Sequence, residues 1–298
     1  MPPDVRIVEV GPRDGLQNEA IVLEASWRVE FIRKLMDAGL RDIEAGSFVR
    51  PDRVPQMAGT EEVLASLGTP EGVRLTSLVP NARGLERARA AGARSIAVFT
   101  GATDTFTQNN IGMGMEASLQ AFEGLVREAL AADIEVRGYL SVCFGCPHEG
   151  AVDAQAVAKA AERLIDMGCS EVSLGDSIGV ATPADVSRVL SGVLERVEVG
   201  QVALHMHDTR GTALANVVRG MEHGVSVFDA SAGGLGGCPF APGASGNLAT
   251  GDLVYLLEGL GVSSGVNPEA LHLATAYAEE AVGRTLPGRV YQASRPRR

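Results

Sequence analysis

QVALHMHDTRGTALANVVRGMEHGVSVFDA, residues 201–230, is the stretch that decides the fold. It opens on a strand-like run at 201–207, continues as an amphipathic stretch at 212–223, and closes on a second short apolar run at 226–230. Alternating apolar positions mark the two ends as strands, and helical spacing marks the middle. His223-Gly224 puts a glycine just past the helix, where a left-handed cap needs one. Strand, helix and strand in that order form a parallel crossover unit.

The same unit recurs outward in both directions. Strands are expected near 5–10, 41–46, 73–79, 95–100, 134–141, 171–175, 201–207 and 226–230. Helices are expected near 25–38, 52–67, 82–91, 116–132, 153–167, 183–198, 212–223 and 249–260. Ala38-Gly39, Ala91-Gly92 and Met167-Gly168 repeat the cap signal, and Thr182-Pro183 reads as an N-cap followed by proline at the first helical position. Asn267-Pro268-Glu269 starts one more helix, to about Arg284. Eight repeats in 298 residues imply an α/β fold, a closed (β/α)8 TIM barrel. A doubly wound open sheet would want a Gly-x-Gly-x-x-Gly turn after the first strand, and Gly11-Pro12-Arg13-Asp14-Gly15 is not one. No low-complexity linker divides the chain. A single domain over 1–298 is expected, with 263–298 as a C-terminal helical extension and Arg295-Pro296-Arg297-Arg298 as a solvated tail.

Composition narrows the function classes. A net charge of −11 argues against nucleic acid, and any anionic ligand needs a local basic pocket. No apolar run is long enough to span a bilayer. The first strand candidate starts near Val5, which leaves no room for a targeting peptide, so the cytoplasm is the expected location. Four irregularly spaced cysteines are too few for a disulfide framework. Cys143-Phe144-Gly145-Cys146 has no second pair and reads as packing.

Chemistry in such barrels sits at the C-terminal ends of the strands. Arg13-Asp14, Glu44, Tyr139, Asp176, His205 and His207 all fall there, while the opposite ends look less polar. Alternation puts His205 and His207 on one side of their strand. Strand 8 alone separates that strand from strand 1, so Asp14 comes within reach of both. With Asn247 they make a donor set of two imidazoles, a carboxylate and an amide oxygen, which suits Mg²⁺ or Mn²⁺. Arg13 can hold a substrate oxygen and spread developing negative charge, or form a rim ion pair with Glu44 or Asp176. Gly233 to Asn247 is a glycine-rich loop with Cys238 near its middle. It is either a tight turn or a flap that carries a reactive group.

These residues also carry a resemblance. Val8 to Glu19, Ile43-Glu44 with Ser47-Phe48-Val49, Arg137-Gly138-Tyr139, Ser173 to Asp176, His205-x-His207-Asp208-Thr209 and the loop Gly233 to Asn247 are similar to blocks of the hydroxymethylglutaryl-CoA lyases. The resemblance runs nearly end to end. It implies cleavage of (S)-3-hydroxy-3-methylglutaryl-CoA to acetyl-CoA and acetoacetate, with the metal on Asp14, His205, His207 and Asn247. It further implies that Arg13 stabilises an enolate, that Cys238 acts from a flexible loop, and that Glu44, Tyr139 and Asp176 matter for activity, Tyr139 and Arg13 as substrate-binding groups. His205 is the candidate base for the C3 hydroxyl, and Cys238 the acid that protonates the enolate carbon. Arg210, where many relatives carry an aromatic residue, and Val142-Cys143-Phe144 depart from the family pattern near the mouth. A longer branched acyl group is therefore the alternative substrate. A condensing acyltransferase would not need the Cys238 loop, and a non-catalytic binding barrel would be marked by a lost ligand residue. An acyl-CoA thioester is the expected partner, Arg50, Arg53 and Arg83 are candidates for its phosphates, and a homodimer is the expected assembly.

Overall fold

The computed structural model describes residues 1–237 and 246–295. Its eight strands are β1 (Arg6–Glu9), β2 (Asp42–Ser47), β3 (Arg74–Leu78), β4 (Ser95–Gly101), β5 (Glu135–Ser141), β6 (Glu171–Asp176), β7 (Val202–Met206) and β8 (Val227–Ala230). They close into a barrel in chain order. Parallel pairing of β1 with β8, Arg6 opposite Val227, completes the circle. The helices are α1 (Ala25–Asp37), α2 (Thr60–Leu67), α3 (Ala82–Ala90), α4 (Asp104–Ile111), α5 (Met115–Leu130), α6 (Ala154–Asp166), α7 (Pro183–Val193), α8 (Ala213–Glu222), α9 (Thr250–Gly259), α10 (Pro268–Val282) and α11 (Arg289–Ala293).

All eight expected strands are present, and the cap glycines Gly39, Gly92, Gly168 and Gly224 all have positive φ. The helices differ in four places, one of them the additional short α11 beyond the expected end near Arg284. The run at 52–67 divides into a short turn at Pro55–Met57 and α2, because Gly59 takes a left-handed conformation between them. The run at 183–198 stops at Val193. Helix α4 was hidden by its polar sequence, of which only Phe106 and Thr107 are buried.

Most apolar burial lies between barrel and helices, as with Phe31, Ile32 and Leu35 of α1 and Val186, Val189 and Leu190 of α7. Inside the barrel, Val8, Val10, Ala203 and Val227 form one apolar cluster. Leu78, Ala97 and Tyr139, with Phe99 beside them, form another on the facing strands.

Two expectations about charge are corrected. The N-terminal ends of the strands are not poor in polar groups, since β1, β2, β3, β5 and β6 begin with Arg6, Asp42, Arg74, Glu135 and Glu171. These side chains pair with one another, Arg6 with Asp42 and Glu171, and Arg74 with Asp42 and Glu135. Mutual pairing makes that end a charged floor. Arg295 is not a solvated tail residue either, because it pairs with Glu279 and lies over the Tyr291 ring.

Glu9, at the end of β1, ties three segments together. Its Oε1 accepts from the backbone N–H of Gly11 at 2.9 Å and of Ala232 at 2.8 Å, and its Oε2 accepts from Thr250 Oγ1 at 2.6 Å. Burial pushes this carboxyl up to about 7, and the three hydrogen bonds offset the shift only in part. The folded chain therefore holds a proton here that the unfolded chain releases earlier. The resulting stability is fully present below the ordinary carboxylate range and is lost as pH rises through about 7. Urea titrations should show a loss of about 3 kcal/mol across that window. In Glu9→Gln the loss should disappear, since the amide keeps the two acceptances and donates to Thr250. An unchanged slope in the variant would refute this account.

Candidate active site at the barrel mouth

A wide helical turn at Gly11–Gly15 follows β1 and carries Arg13 and Asp14 to the C-terminal mouth. β7 delivers His205, and His207 lies just beyond it in an isolated bridge to Asn247. The two imidazole centroids are 5.2 Å apart. One donor atom from each of Asp14, His205 and His207 falls within 4.8 Å of the others.

Asn247 completes the group. Its Nδ2 donates to Asp14 Oδ2 at 2.9 Å and to the carbonyl of Leu235 at 3.1 Å. Among the described residues, Asn247 Oδ1 and His207 Nδ1 are left buried without a hydrogen-bond partner. Such orphaned polar atoms are costly unless something satisfies them, and both belong to residues of the expected donor set. Burial, then the neighbouring His205, pulls the His207 ring down to about 3, so it is neutral with a lone pair available. Asp14 is pushed up by burial, but Arg13 and the two imidazoles outweigh that and keep it ionised below its usual range. The residues present fit a hard divalent cation with oxygen and imidazole donors.

Arg13 is almost fully buried, and its surroundings show which carboxylate it pairs with. It pairs with Glu44 through Nε at 2.7 Å and donates from Nη1 to Asp14 at 2.8 Å. Its guanidinium carbon lies 5.6 Å from the centroid of the Tyr139 ring. The ion pair with Glu44 is therefore present, and the planar group still sits at the mouth beside the cation-type cluster. Burial raises the Glu44 carboxyl, and Arg13 pulls it back only in part.

Asp176 is used differently. Its two oxygens accept from the N–H groups of Val180 at 2.9 Å and Ala181 at 3.0 Å, which fixes the turn after β6. Behind the mouth, Asp229 of β8 and Arg137 of β5 contact His205 and Tyr139 respectively. The sequence reading missed this pair, although charged residues within barrel strands signal a buried network. Gln17 was missed as well; its Nε2 donates to Asp14 Oδ1 at 3.0 Å.

Cys238 lies outside the described residues, as does the expectation that its loop is mobile. The flanks are described. An added Cβ at Gly246 would meet the Gly237 carbonyl oxygen at 2.7 Å, and one at Gly236 would meet Asn247 Nδ2 at 2.9 Å. These glycines thus permit close approach between the described flanks of the loop. Cys143, Cys146 and Cys169 are buried and unbridged. Burial pushes the Cys143 thiol well up and that of Cys169 up to about 12, as packing residues would show. The two departures from the family pattern have these contacts in the structure. Arg210 donates to the carbonyls of Ile178 and Gly179, both at 2.9 Å, while Val142, Cys143 and Phe144 are buried in the outer core.

Fold and site together define a (β/α)8 barrel with a cation-type donor cluster and a buried arginine at its C-terminal mouth. The chain belongs to the HMGL-like family, whose model matches residues 4–277. The mitochondrial hydroxymethylglutaryl-CoA lyase of Bos taurus is 48% identical over 293 residues, covering 98% of this chain and 90% of that protein. The hydroxymethylglutaryl-CoA lyase of Pseudomonas mevalonii is 51% identical over 267 residues, covering 90% of this chain and 89% of that one. The crystal structure of hydroxymethylglutaryl-CoA lyase from Pseudomonas aeruginosa matches with a TM-score of 0.96 at 44% identity, over 98% of each chain.

Proposed function

We propose that this chain is a carbon–carbon lyase that cleaves (S)-3-hydroxy-3-methylglutaryl-CoA to acetyl-CoA and acetoacetate. The observation that carries the reading is Arg13, buried beside Asp14, Glu44 and Tyr139 at the edge of the donor cluster. Asp14, His205, His207 and Asn247 are the residues that would hold a divalent cation, Mg²⁺ or Mn²⁺. When bound, the ion supplies Lewis-acid polarisation of substrate oxygens.

The chain's own groups account for the rest. A base takes the proton from the C3 hydroxyl, the C2–C3 bond breaks, and its electron pair becomes the enolate of acetyl-CoA while C3 becomes the ketone of acetoacetate. Arg13 stabilises the enolate oxygen with a fixed positive charge that needs no reorganisation. Glu44 orients that guanidinium, Tyr139 lines the mouth as a substrate-binding group, and Asp176 holds the loop after β6. Cys238 donates the proton that converts the enolate into acetyl-CoA. His205 is the candidate base, but its Nδ1 faces Asp229, so its one lone pair, on Nε2, would serve either as the base or as a ligand and not as both at once.

Incubation with the thioester and Mg²⁺ or Mn²⁺ should yield acetoacetate, and no product from the wild-type chain would sink the assignment. Cys238→Ala should lower kcat on the order of 10²-fold. Full activity in that variant would remove the acid. The proposal extends to a single catalytic domain over 1–298, including the extension 263–298, working as a cytoplasmic homodimer. Light scattering at the mass of one chain would remove the dimer.

A further inference from the structure

Asp229 is a buried carboxylate that the reaction scheme does not use. It lies on β8 opposite His205 of β7. Its Oδ2 is 3.2 Å from His205 Nδ1 and accepts from Ser173 Oγ at 2.8 Å. Arg137 donates to it through both arms, Nη2 to Oδ1 at 2.7 Å and Nη1 to Oδ2 at 3.3 Å. The same guanidinium donates from Nη1 to the Tyr139 hydroxyl at 2.8 Å and from Nε to Glu171 at 2.7 Å. Asp229 and Arg137 are almost wholly shielded from solvent.

Three side chains make four contacts to one carboxylate, and three of those contacts come from the Arg137 guanidinium and the Ser173 hydroxyl. An ionised carboxylate can only accept hydrogen bonds. The proton shared with His205 therefore belongs on Nδ1. That leaves the lone pair of the neutral ring on Nε2, the nitrogen free to serve the mouth. Arg137, pinned by Glu171 at the floor, sets the position of Asp229 and of the Tyr139 hydroxyl with one rigid fork.

We propose that Asp229 and Arg137 form a positioning pair that fixes the tautomer and orientation of His205 and places the Tyr139 hydroxyl. The inference rests on the reading of His205 as a site group, yet its first test needs no turnover. With ¹⁵N-histidine in the metal-free full-length chain, at alkaline pH where the ring is neutral, long-range ¹H–¹⁵N spectra should show His205 protonated at Nδ1. Protonation at Nε2 overturns the proposal. Asp229→Asn places an amide N–H₂ among donors, so the tautomer preference should weaken. Its kcat should fall about 10- to 100-fold with KM within about threefold. A folded variant that keeps both the tautomer and kcat overturns the proposal, since a purely packing role predicts that result. An Nδ1–H tautomer in a chain that cleaves no thioester supports the pair and removes only the proposed reaction. Cleavage with an Nε2–H tautomer removes the pair and leaves the reaction standing.

Discussion

Arg13→Gln is expected to lower kcat on the order of 10³-fold while KM changes little. The reason is where the charge sits. Arg13 is buried against Glu44 and Asp14 beside the Tyr139 ring, so its guanidinium is already held when the enolate forms. Stabilisation that appears only with the developing charge shows in kcat and not in binding. Arg13→Lys should recover little of the loss, because an ammonium cannot face two carboxylates and a substrate oxygen as a planar fork can. Stability should fall as well, by about 3 kcal/mol, because Glu44 is left buried without its cation. Combining Arg13→Gln with Glu44→Gln should restore much of the stability and none of the turnover. Steady-state kinetics and urea titrations separate the two effects, and a double variant that regains turnover would show that Arg13 acts only through Glu44.

His205→Ala is expected to lower kcat by a similar factor, on the order of 10³, and to weaken Mn²⁺ binding at least about tenfold. Because Asp229 engages Nδ1, one ring nitrogen remains for both duties named for this residue. Titration calorimetry with Mn²⁺ decides between them. A weakened ion marks Nε2 as a ligand, whereas unchanged affinity with lost turnover marks it as the base. In either case Asp229 keeps its bonds to Arg137 and Ser173, so the variant should fold.

Hydrophobic period and cap chemistry are local, and for that reason the barrel was legible in the chain. The eight strands, the cap glycines and the gathering of Asp14, His205 and His207 at one end follow from alternation, from left-handed caps and from the rule that places chemistry at strand C-termini. Asn247 belonged to the same reading, and its orphaned Oδ1 now gives it a physical basis. Helix α4 and the Gly11–Gly15 turn were not legible, because neither carries an apolar period.

The sequence by itself determined the fold class, the family and most of the residues at the mouth, because each rests on spacing along one strand or on a contiguous motif. Only the tertiary structure decided who pairs with whom. Arg13 chose Glu44 and not Asp176, the charged strand starts neutralised one another at the floor, and Asp229 met His205, Arg137 and Ser173 from three other strands. Those choices depend on closure of the barrel, which brings β5 and β8 face to face across its interior although 92 residues separate Arg137 from Asp229. A buried charge is satisfied by whatever the fold places beside it, and no local pattern carries that information.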